Sequence, residues 1–276
     1  MRPVSRPQLA KHLLAAGACC LILAPFLWMI STSLKDPAEV VLRDPTIIPR
    51  SFAVQNYVDA FNRGNFGRYM INSVMVALAV TVLSLLLATL SGYAFARFRL
   101  RGGKAILLGI LATQMFPAIL LAIPLYILIR NLGLLNSLVG LVLVYTTFAL
   151  PFCVWMMRNY FLSIPRDLDE SAMVDGATRL QALWSVVLPV AMPGIAATGI
   201  FSFILSWNEF LYANTFISSA DLRTLPVGLQ SLIGEFTTDW GLLMAGAVIT
   251  TMPIVIIFFF VQRKLTQGLA SGAVKG

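Results

Sequence analysis

The sequence predicts an all-α polytopic membrane protein with six transmembrane helices, and two observations support this fold class. Of the 276 residues, 58% are apolar and only 12% are charged, whereas a water-soluble domain carries about 25% charged residues. The apolar residues form continuous runs of more than about 18 residues, and each run is long enough as a helix to cross about 30 Å of hydrocarbon. Because the runs do not alternate with period two, a membrane β-barrel is excluded.

The first predicted span covers residues 13–33. Its first half, from Leu13 to Cys19, superficially resembles a signal peptide that ends at small residues. The apolar run continues beyond that point through Trp28 and Ile30. The whole stretch therefore has the length of a span, and we predict an uncleaved transmembrane helix.

Five further apolar segments of span length follow. They lie at about residues 70–96, 105–129, 136–157, 191–214 and 241–261. An even number of spans places both termini on one side of the membrane, and we expect the chain to form a single transmembrane domain, 1–276. Prolines within the spans predict broken or kinked helices; these are Pro117, Pro124, Pro151 and Pro253.

Basic residues predict the orientation of these spans. Thirteen of the 20 lysines and arginines fall on the side of the two termini and seven on the other side. Residues 97–104 alone contribute four basic residues and no acidic residue. Because cytoplasmic loops are enriched in Lys and Arg, both termini are predicted to be cytoplasmic. The net charge of +8 is explained in this way and does not indicate a nucleic-acid partner.

Side chains that catalysis or metal binding would require are missing from the sequence. With one histidine, His12, the chain offers no metal-ligand cluster and no Ser/His/Asp set. Gly103-Lys104 does not form a phosphate-binding loop, because Phe98 occupies the first glycine position and Ala105 follows the lysine. We expect no cofactor and no catalysis by this chain. The cysteines are predicted to be small buried apolar residues; they are Cys19, Cys20 and Cys153.

The segment from Ser163 to Pro189 predicts two short helices joined by a sharp turn. Acidic residues follow Ser163 and Pro165 and favour the first turn of a helix. Gly176 favours the end of that helix, because a residue without Cβ adopts the left-handed conformation easily. Apolar residues at helical spacing form the second helix, which Pro189 is expected to end. The residues alone leave two interpretations open, a docking surface or an ordinary interfacial amphipathic loop.

This segment resembles the EAA signature of the inner-membrane permease subunits of ABC importers. Glu170-Ser171-Ala172 is followed at the family's spacing by Asp175-Gly176-Ala177, by Leu188-Pro189 and by Pro193. Serine stands at 171 where the family usually has alanine. The strings at 207–211 and 268–276 resemble the carbohydrate-importing branch, namely the maltose permease G-like subunits.

The resemblance implies a type I ABC importer permease fold in the cell membrane of a prokaryote. It implies a permease subunit of an ATP-driven, binding-protein-dependent importer of a sugar such as trehalose or maltose. Expected partners are a second permease subunit, a cytoplasmic ATPase dimer that hydrolyses the ATP, an extracytoplasmic solute-binding protein and membrane lipid. The residues that would couple the chain to the ATPase are Glu170, Ser171, Ala172, Asp175, Gly176 and Ala177.

Three alternatives to this function stay open. A glycerol-phosphate-type solute would be carried by a subunit of the same family. A secondary transporter or channel would normally show paired internal acids or an internal repeat, which are absent apart from Glu209. A membrane-embedded enzyme would need a convergent catalytic set, which the sequence lacks.

Polar residues inside the spans are candidates for the substrate path, because burying them in hydrocarbon is costly. Glu209 is the clearest candidate, and with Trp207 and Asn208 it would line a path in which polar groups bind sugar hydroxyls and the indole stacks on a sugar ring. The alternative is a hydrogen bond between helices. The same two readings apply to the weaker candidates, which are Gln114, Tyr145, Thr146 and Asn72.

The charge distribution makes a testable prediction about topology. We expect a reporter fused after Lys275 to be cytoplasmic and one inserted near Asn56 to be external, because thirteen basic residues lie on the first side and seven on the second. Reporter activity in intact cells measures both positions. Labelling of a cysteine placed at Arg101 by a membrane-impermeant reagent would contradict the orientation.

Overall fold

The computed structural model describes residues 6–62, 65–234 and 237–273, and 78% of the chain is helical with no strand in those residues. The all-α prediction is confirmed. The helices are α1 (Arg6–Ser33), α2 (Pro37–Val40), α3 (Gln55–Asn62), α4 (Phe66–Arg97), α5 (Gly103–Ala112), α6 (Ala118–Asn131), α7 (Leu138–Ser163), α8 (Asp167–Val174), α9 (Arg179–Ala182), α10 (Leu188–Trp207), α11 (Leu211–Phe216), α12 (Leu225–Gln230) and α13 (Trp240–Ala273).

Five helical segments among the described residues are long and apolar enough to cross a membrane, and a bent pair makes a sixth. The five are Lys11–Ser33, Phe66–Arg97, Leu138–Ser163, Arg179–Trp207 and Trp240–Phe260. The bent pair, Gly103–Met115 with Ala118–Asn131, changes direction by 99°. The described residues therefore contain five candidate spans, or six if the bent pair is a single span.

The bend between Gly103–Met115 and Ala118–Asn131 lies at Pro117. Pro117 is one of the four prolines predicted to break or kink helices. A 3-10 turn ends at Met115, and Phe116 then takes an extended conformation with φ −75° and ψ 128°. That conformation is the one that a residue before proline prefers, because the proline ring disfavours the helical region. Pro124 lies inside α6, which continues through it.

The described contacts divide the chain into two compact units. Unit 1 comprises residues 1–67 and 228–252, and unit 2 comprises residues 68–227 and 253–276. In unit 1 the buried amide of Asn56 donates to the carbonyl oxygens of Ser33 and Lys35, at 3.0 Å and 2.9 Å. This side chain holds α3 against the end of α1. A single transmembrane domain stays a prediction.

The core of unit 2 is built around α7, whose buried residues include Tyr145, Met157 and Phe161. Glycines allow neighbouring helices to approach it closely. A Cβ at Gly92 of α4 would lie 2.9 Å from the backbone nitrogen of Arg158, and one at Gly194 of α10 would lie 2.3 Å from the ring of Tyr160. Small residues serve this purpose at membrane helix interfaces.

The helix that begins at Arg179 does not end at Pro189, contrary to the prediction from the sequence. The backbone is α-helical to Ala182, forms a π-helical turn over Leu183–Val187 and continues as α10 to Trp207. Proline in a regular α-helix clashes with the carbonyl four residues earlier. The wider π turn directly before Pro189 relieves this clash, so the helix continues into the membrane span.

The cysteine prediction is correct for one residue and wrong for two. Cys153 is buried within α7, whereas Cys19 and Cys20 are exposed on α1. The apolar run at 13–33 is a helix whose described surface is largely exposed in this chain. Apolar sequence in a membrane span therefore does not by itself imply burial within the protein.

Candidate functional site

The helix α8 forms as its sequence predicts. Three acidic residues occupy its first turn, where negative charge is favoured by the free amides and the helix dipole. Gly176 follows its end with φ +90°, and its amide donates to the carbonyl of Met173 at 3.1 Å. The next amide, of Ala177, donates to the carbonyl of Ala172 at 3.0 Å. This left-handed turn ends the helix at the predicted glycine.

A capping box starts the following helix, α9. The Thr178 hydroxyl accepts a hydrogen bond from the amide of Gln181, and the Gln181 side chain accepts one from the amide of Thr178 at 2.8 Å. Reciprocal bonds of this kind satisfy the free amides of a helix start. The turn between α8 and α9 is therefore fixed at both helix ends.

The predicted coupling residues lie mainly on the surface of this turn. Those that are exposed are Glu170, Ser171, Asp175 and Gly176. Ala172 is buried and Ala177 is half-buried. Val174, beside them, is 87% exposed. The result is an accessible edge with two carboxylates and a large apolar side chain.

The opposite side of α8 is anchored by a buried ion pair. The Arg97 Nε lies 2.8 Å from Asp169 Oδ2, and both side chains are almost fully buried. The Tyr93 hydroxyl donates to Asp169 Oδ1 at 2.5 Å. Both carboxylate oxygens of Asp169 therefore meet groups at the end of α4. A buried charge needs this kind of pairing because it has lost its water.

Arg97 also joins α7 to the same cluster. Its guanidinium donates to the carbonyl oxygens of Phe161 and Ile164, at 2.9 Å and 3.1 Å. These carbonyls belong to the C-terminal end of α7, where helical partners are lacking. Arg166, which directly precedes α8, donates a hydrogen bond to the carbonyl of Ala96 in α4 at 3.1 Å. The ends of α4 and α7 and the start of α8 thus share one network.

Glu209 does not lie within a continuous span, as the sequence suggested, but in a break between α10 and α11. Its carboxylate accepts hydrogen bonds from the backbone amides of Tyr212 at 2.8 Å and Ala213 at 3.1 Å. These are the free amides at the start of α11, which in a membrane must find a partner within the protein. Neither reading from the sequence, a sugar path or a helix–helix bond, included this role of capping its own helix.

The Tyr145 hydroxyl is the group that faces this carboxylate from α7. Tyr145 is 1% exposed, and its hydroxyl has no hydrogen-bond partner of regular geometry among the described residues. The Glu209 carboxylate lies close enough to interact with it electrostatically. The structure therefore brings these two predicted residues together.

Polar bonds also tie the break at Pro117 to its surroundings. The Gln114 side chain donates to the carbonyl of Phe148 at 2.7 Å, and the Tyr212 hydroxyl donates to the carbonyl of Ala118 at 2.8 Å. The rings of Phe148 and Tyr212 stack with their centroids 5.0 Å apart. The break at Pro117 is thus held by Gln114, which lies next to it, and by Tyr212 of α11.

The remaining path candidates are placed differently. Trp207 is fully buried and its ring stacks on Phe203 with 5.5 Å between centroids, so its indole faces protein in this conformation. Asn208 is exposed, and its amide donates to the carbonyl of Ile204 in its own helix. Asn72 holds the loop carbonyls of Asp221 and Arg223, and Thr146 bonds within α7. The role of these residues in a solute path stays a prediction.

Sequence reasoning missed Tyr93, Arg97 and Tyr212. Arg97 was counted among the loop charges that set topology, and Asp169 among the acids of a helix start. The sequence does contain a signal for this cluster. Tyr93 and Arg97 are four residues apart and therefore lie on one face of the last turns of a span. No group of His, Cys, Asp or Glu in the described residues could hold a metal ion.

Comparison with known proteins gives one family. Residues 84–271 match the family described as binding-protein-dependent transport system inner membrane component. The chain is 41% identical over 254 residues to the sulfoquinovosyl glycerol transport system permease protein SmoH of Agrobacterium fabrum, covering 92% of this chain and 89% of that protein. It is 36% identical over 277 residues to the trehalose/maltose transport system permease protein MalG of Thermococcus litoralis, covering 97% and 98%.

A solved structure has the same fold. It is described as the crystal structure of a bacterial ABC transporter involved in the import of the acidic polysaccharide alginate, and one of its chains matches with a TM-score of 0.80. The match covers 95% of this chain and 99% of that chain at 24% identity. The importer permease fold expected from the sequence is thereby confirmed.

The Arg97–Asp169 ion pair predicts an asymmetric effect of two similar substitutions. Asp169→Asn leaves a buried guanidinium without its counter-charge, which we expect to cost about 3 to 5 kcal/mol and to lower the unfolding temperature of the detergent-solubilised complex. Asp167→Asn removes an exposed carboxylate from the same helix turn and should change that temperature little. Equal unfolding temperatures for the two variants would contradict the anchoring role.

The position of Glu209 predicts a loss of stability when its carboxylate is removed. Glu209→Ala leaves two amides of α11 uncapped, and we expect a loss of about 0.5 to 2 kcal/mol, the range measured for helix caps. Asn208→Ala is the matched control, because its amide only bonds within its own helix. Chemical unfolding in detergent measures both variants. A Glu209→Ala protein as stable as the control would show that the cap contributes nothing.

Proposed function

Because the chain belongs to the family of binding-protein-dependent transport system inner membrane components, we propose that it is the permease subunit of an ATP-driven importer of a sugar. Two parts of this statement follow from the family alone. The chain is a transport permease subunit and a multi-pass protein of the inner membrane. The solute, the partners and the residues that engage them are our proposal.

The relatives support a carbohydrate as the solute class. Their names refer to sulfoquinovosyl glycerol, to diacetylchitobiose, to trehalose and to trehalose/maltose. Identities between 36% and 41% extend over more than nine tenths of this chain. We propose a di- or oligosaccharide and rank a glycerol-phosphate compound below it, because none of these names refers to one.

The proposed mechanism rests on the difference between the buried side and the exposed side of α8. One side is anchored by the buried ion pair of Asp169 with Arg97, and the other presents Glu170, Asp175 and Val174 to solvent. A docking surface needs both properties, namely accessible groups for a partner and rigid attachment to the rest of the molecule. We propose that this edge binds a cytoplasmic ATPase subunit.

ATP hydrolysis is assigned in this proposal to the partner ATPase dimer. When the dimer closes, it pushes on the exposed edge of α8, and the shared network of Arg97 transmits the displacement to the ends of α4 and α7. A second permease subunit completes the solute path. An extracytoplasmic binding protein delivers the sugar at the opposite face.

The solute path is proposed to run past the helix breaks of unit 2. Non-helical backbone at membrane depth is tolerated where it is buried in protein or lines a cavity, and broken helices frequently form the solute sites of transporters. A cleft of about 220 Å³ is lined by Gln114, which lies next to the break at Pro117, and by Pro124, Thr147 and Phe148 among others. We propose Gln114 as the polar contact there, with Tyr145 and Glu209 as the deeper polar pair.

Charge reversal on α8 tests the coupling role. We expect Glu170→Lys to leave membrane insertion intact and to reduce the ATPase stimulation by loaded binding protein about tenfold or more in the reconstituted complex, because an interfacial charge pair of this kind is worth several kcal/mol. Gly176→Pro should act likewise, because proline cannot adopt the positive φ of this turn.

Arg101→Glu is the matched control, a charge reversal at an exposed residue that is predicted to lie on the same side of the membrane but outside the α8 edge. It should leave the stimulation unchanged. Normal stimulation in both Glu170→Lys and Gly176→Pro would remove the coupling role from α8. Loss of stimulation in the control as well would attribute the effect to any charge reversal on this side and not to the docking edge.

A further inference from the structure

A cavity of about 290 Å³ in unit 1 has no assigned role. It lies between the C-terminal end of α1, the loop that follows and the start of α13. Its lining includes the side chains of Trp28, Thr32, Lys35 and Trp240. The charge pattern of the sequence predicts that this end of the two spans is external.

Two half-exposed indoles place the cavity at the level of the lipid headgroups. Trp28 lies in the last turns of the apolar span Lys11–Ser33, and Trp240 is the first residue of the span Trp240–Phe260. They are 43% and 48% exposed. Tryptophan is enriched at this depth because its ring is apolar and its N–H is polar.

A buried ammonium group with unused donors lines the same cavity. Lys35 is 3% exposed, and its ammonium lies 4.5 Å from the centroid of the Trp28 ring. An ammonium group has three donors. Among the described residues, the only hydrogen bond from this group goes to the carbonyl of Thr46. The remaining donors favour an acceptor that the chain itself does not supply.

The carboxylate of Glu39, which also lines the cavity, takes its hydrogen bonds from groups other than the Lys35 ammonium. It accepts hydrogen bonds from the Thr46 hydroxyl at 2.5 Å and from the Arg50 amide at 3.1 Å. Both Lys35 and Arg50 act electrostatically on it and, after the hydrogen bond from Thr46, help to keep its pKa below the ordinary value. The oxygens of Glu39 are therefore hydrogen-bonded to Thr46 and Arg50 and accept no hydrogen bond from the ammonium among the described residues.

Thr32 provides an independent observation. It lines the cavity, and its hydroxyl is buried and has no hydrogen-bond partner among the described residues. Leaving such a group unsatisfied is unfavourable. An acceptor in the cavity would satisfy the Thr32 hydroxyl and the spare donors of Lys35 together.

We propose that this cavity binds the phosphate of a membrane glycerophospholipid, with its oxygens accepting from Lys35 and Thr32 and its headgroup substituent lying between the two indoles. A phosphodiester supplies a negative charge and several acceptor oxygens for the donors of Lys35 and Thr32 that have no partner among the described residues. Its position at the ends of two spans is where such a group resides in a bilayer. This site is independent of the solute and of the ATPase edge.

Native mass spectrometry tests the site on the full-length chain in the complex in which it is extracted from the membrane. The probes are phosphatidylglycerol, a diacylglycerol with the same acyl chains but no phosphate, and inorganic phosphate. We expect phosphatidylglycerol to bind at least tenfold more tightly than diacylglycerol. Thr32→Val should weaken that binding about tenfold, the effect of losing one hydrogen bond to a charged group.

Thr32→Val is informative because the hydroxyl has no partner within the described chain, so the variant should fold normally. Unchanged unfolding temperature with weakened lipid binding would support the site. Equal binding of diacylglycerol and phosphatidylglycerol, or no effect of Thr32→Val, would overturn it. Inorganic phosphate that displaces phosphatidylglycerol at similar concentration would overturn the lipid as the source and assign the cavity to a free anion.

Discussion

The buried ion pair between Arg97 and Asp169 is the interaction on which the end of unit 2 that carries α8 depends. An isolated helix as short as the eight residues of α8 is unstable in water, so its position must come from tertiary contacts. The guanidinium of Arg97 meets the carboxylate of α8 and the terminal carbonyls of α7 at the same time. One side chain at the end of α4 thus binds groups at two other helix ends, and removing it would leave two carbonyls without its hydrogen bonds and a buried carboxylate without its counter-charge.

Close helix packing extends this rigidity away from α8. Gly92 brings α4 against the backbone of α7, and Gly194 brings α10 against the ring of Tyr160. The helix that begins at Arg179 continues into α10. The long helices before and after the α8–α9 segment, α7 and α10, therefore belong to the same packed group. Through Asp169 and Arg97, α8 is attached to this packed group of α4, α7 and α10, whereas a break separates α5 from α6 and another separates α10 from α11.

The apolar runs predicted helices long enough to cross a membrane, because the length and hydropathy of a run can be read from the sequence, but they did not predict the break between Trp207 and Leu211. Gly176 and Pro117 were also predicted correctly, since each acts through its own backbone geometry. Arg97 could not be recognised in this way, because a basic residue at a span end looks the same whether it faces water or a buried carboxylate. The continuation through Pro189 likewise depends on a π turn, whose stability comes from packing and not from local propensity.

Glu209 and the helix breaks are best explained together, because the carboxylate pairs with backbone groups that a break leaves without partners. A break in a span frees backbone amides and carbonyls, and no water is available in the hydrocarbon region to bind them. Glu209 satisfies the amides of α11, and the hydroxyl of Tyr212 binds a carbonyl beside the other break, at the start of α6. Polar residues in these spans are thus first explained by the backbone they pair with. A ligand that bound the Glu209 carboxylate would share it with the start of α11, because a carboxylate has about four acceptor positions and the two amides use two of them.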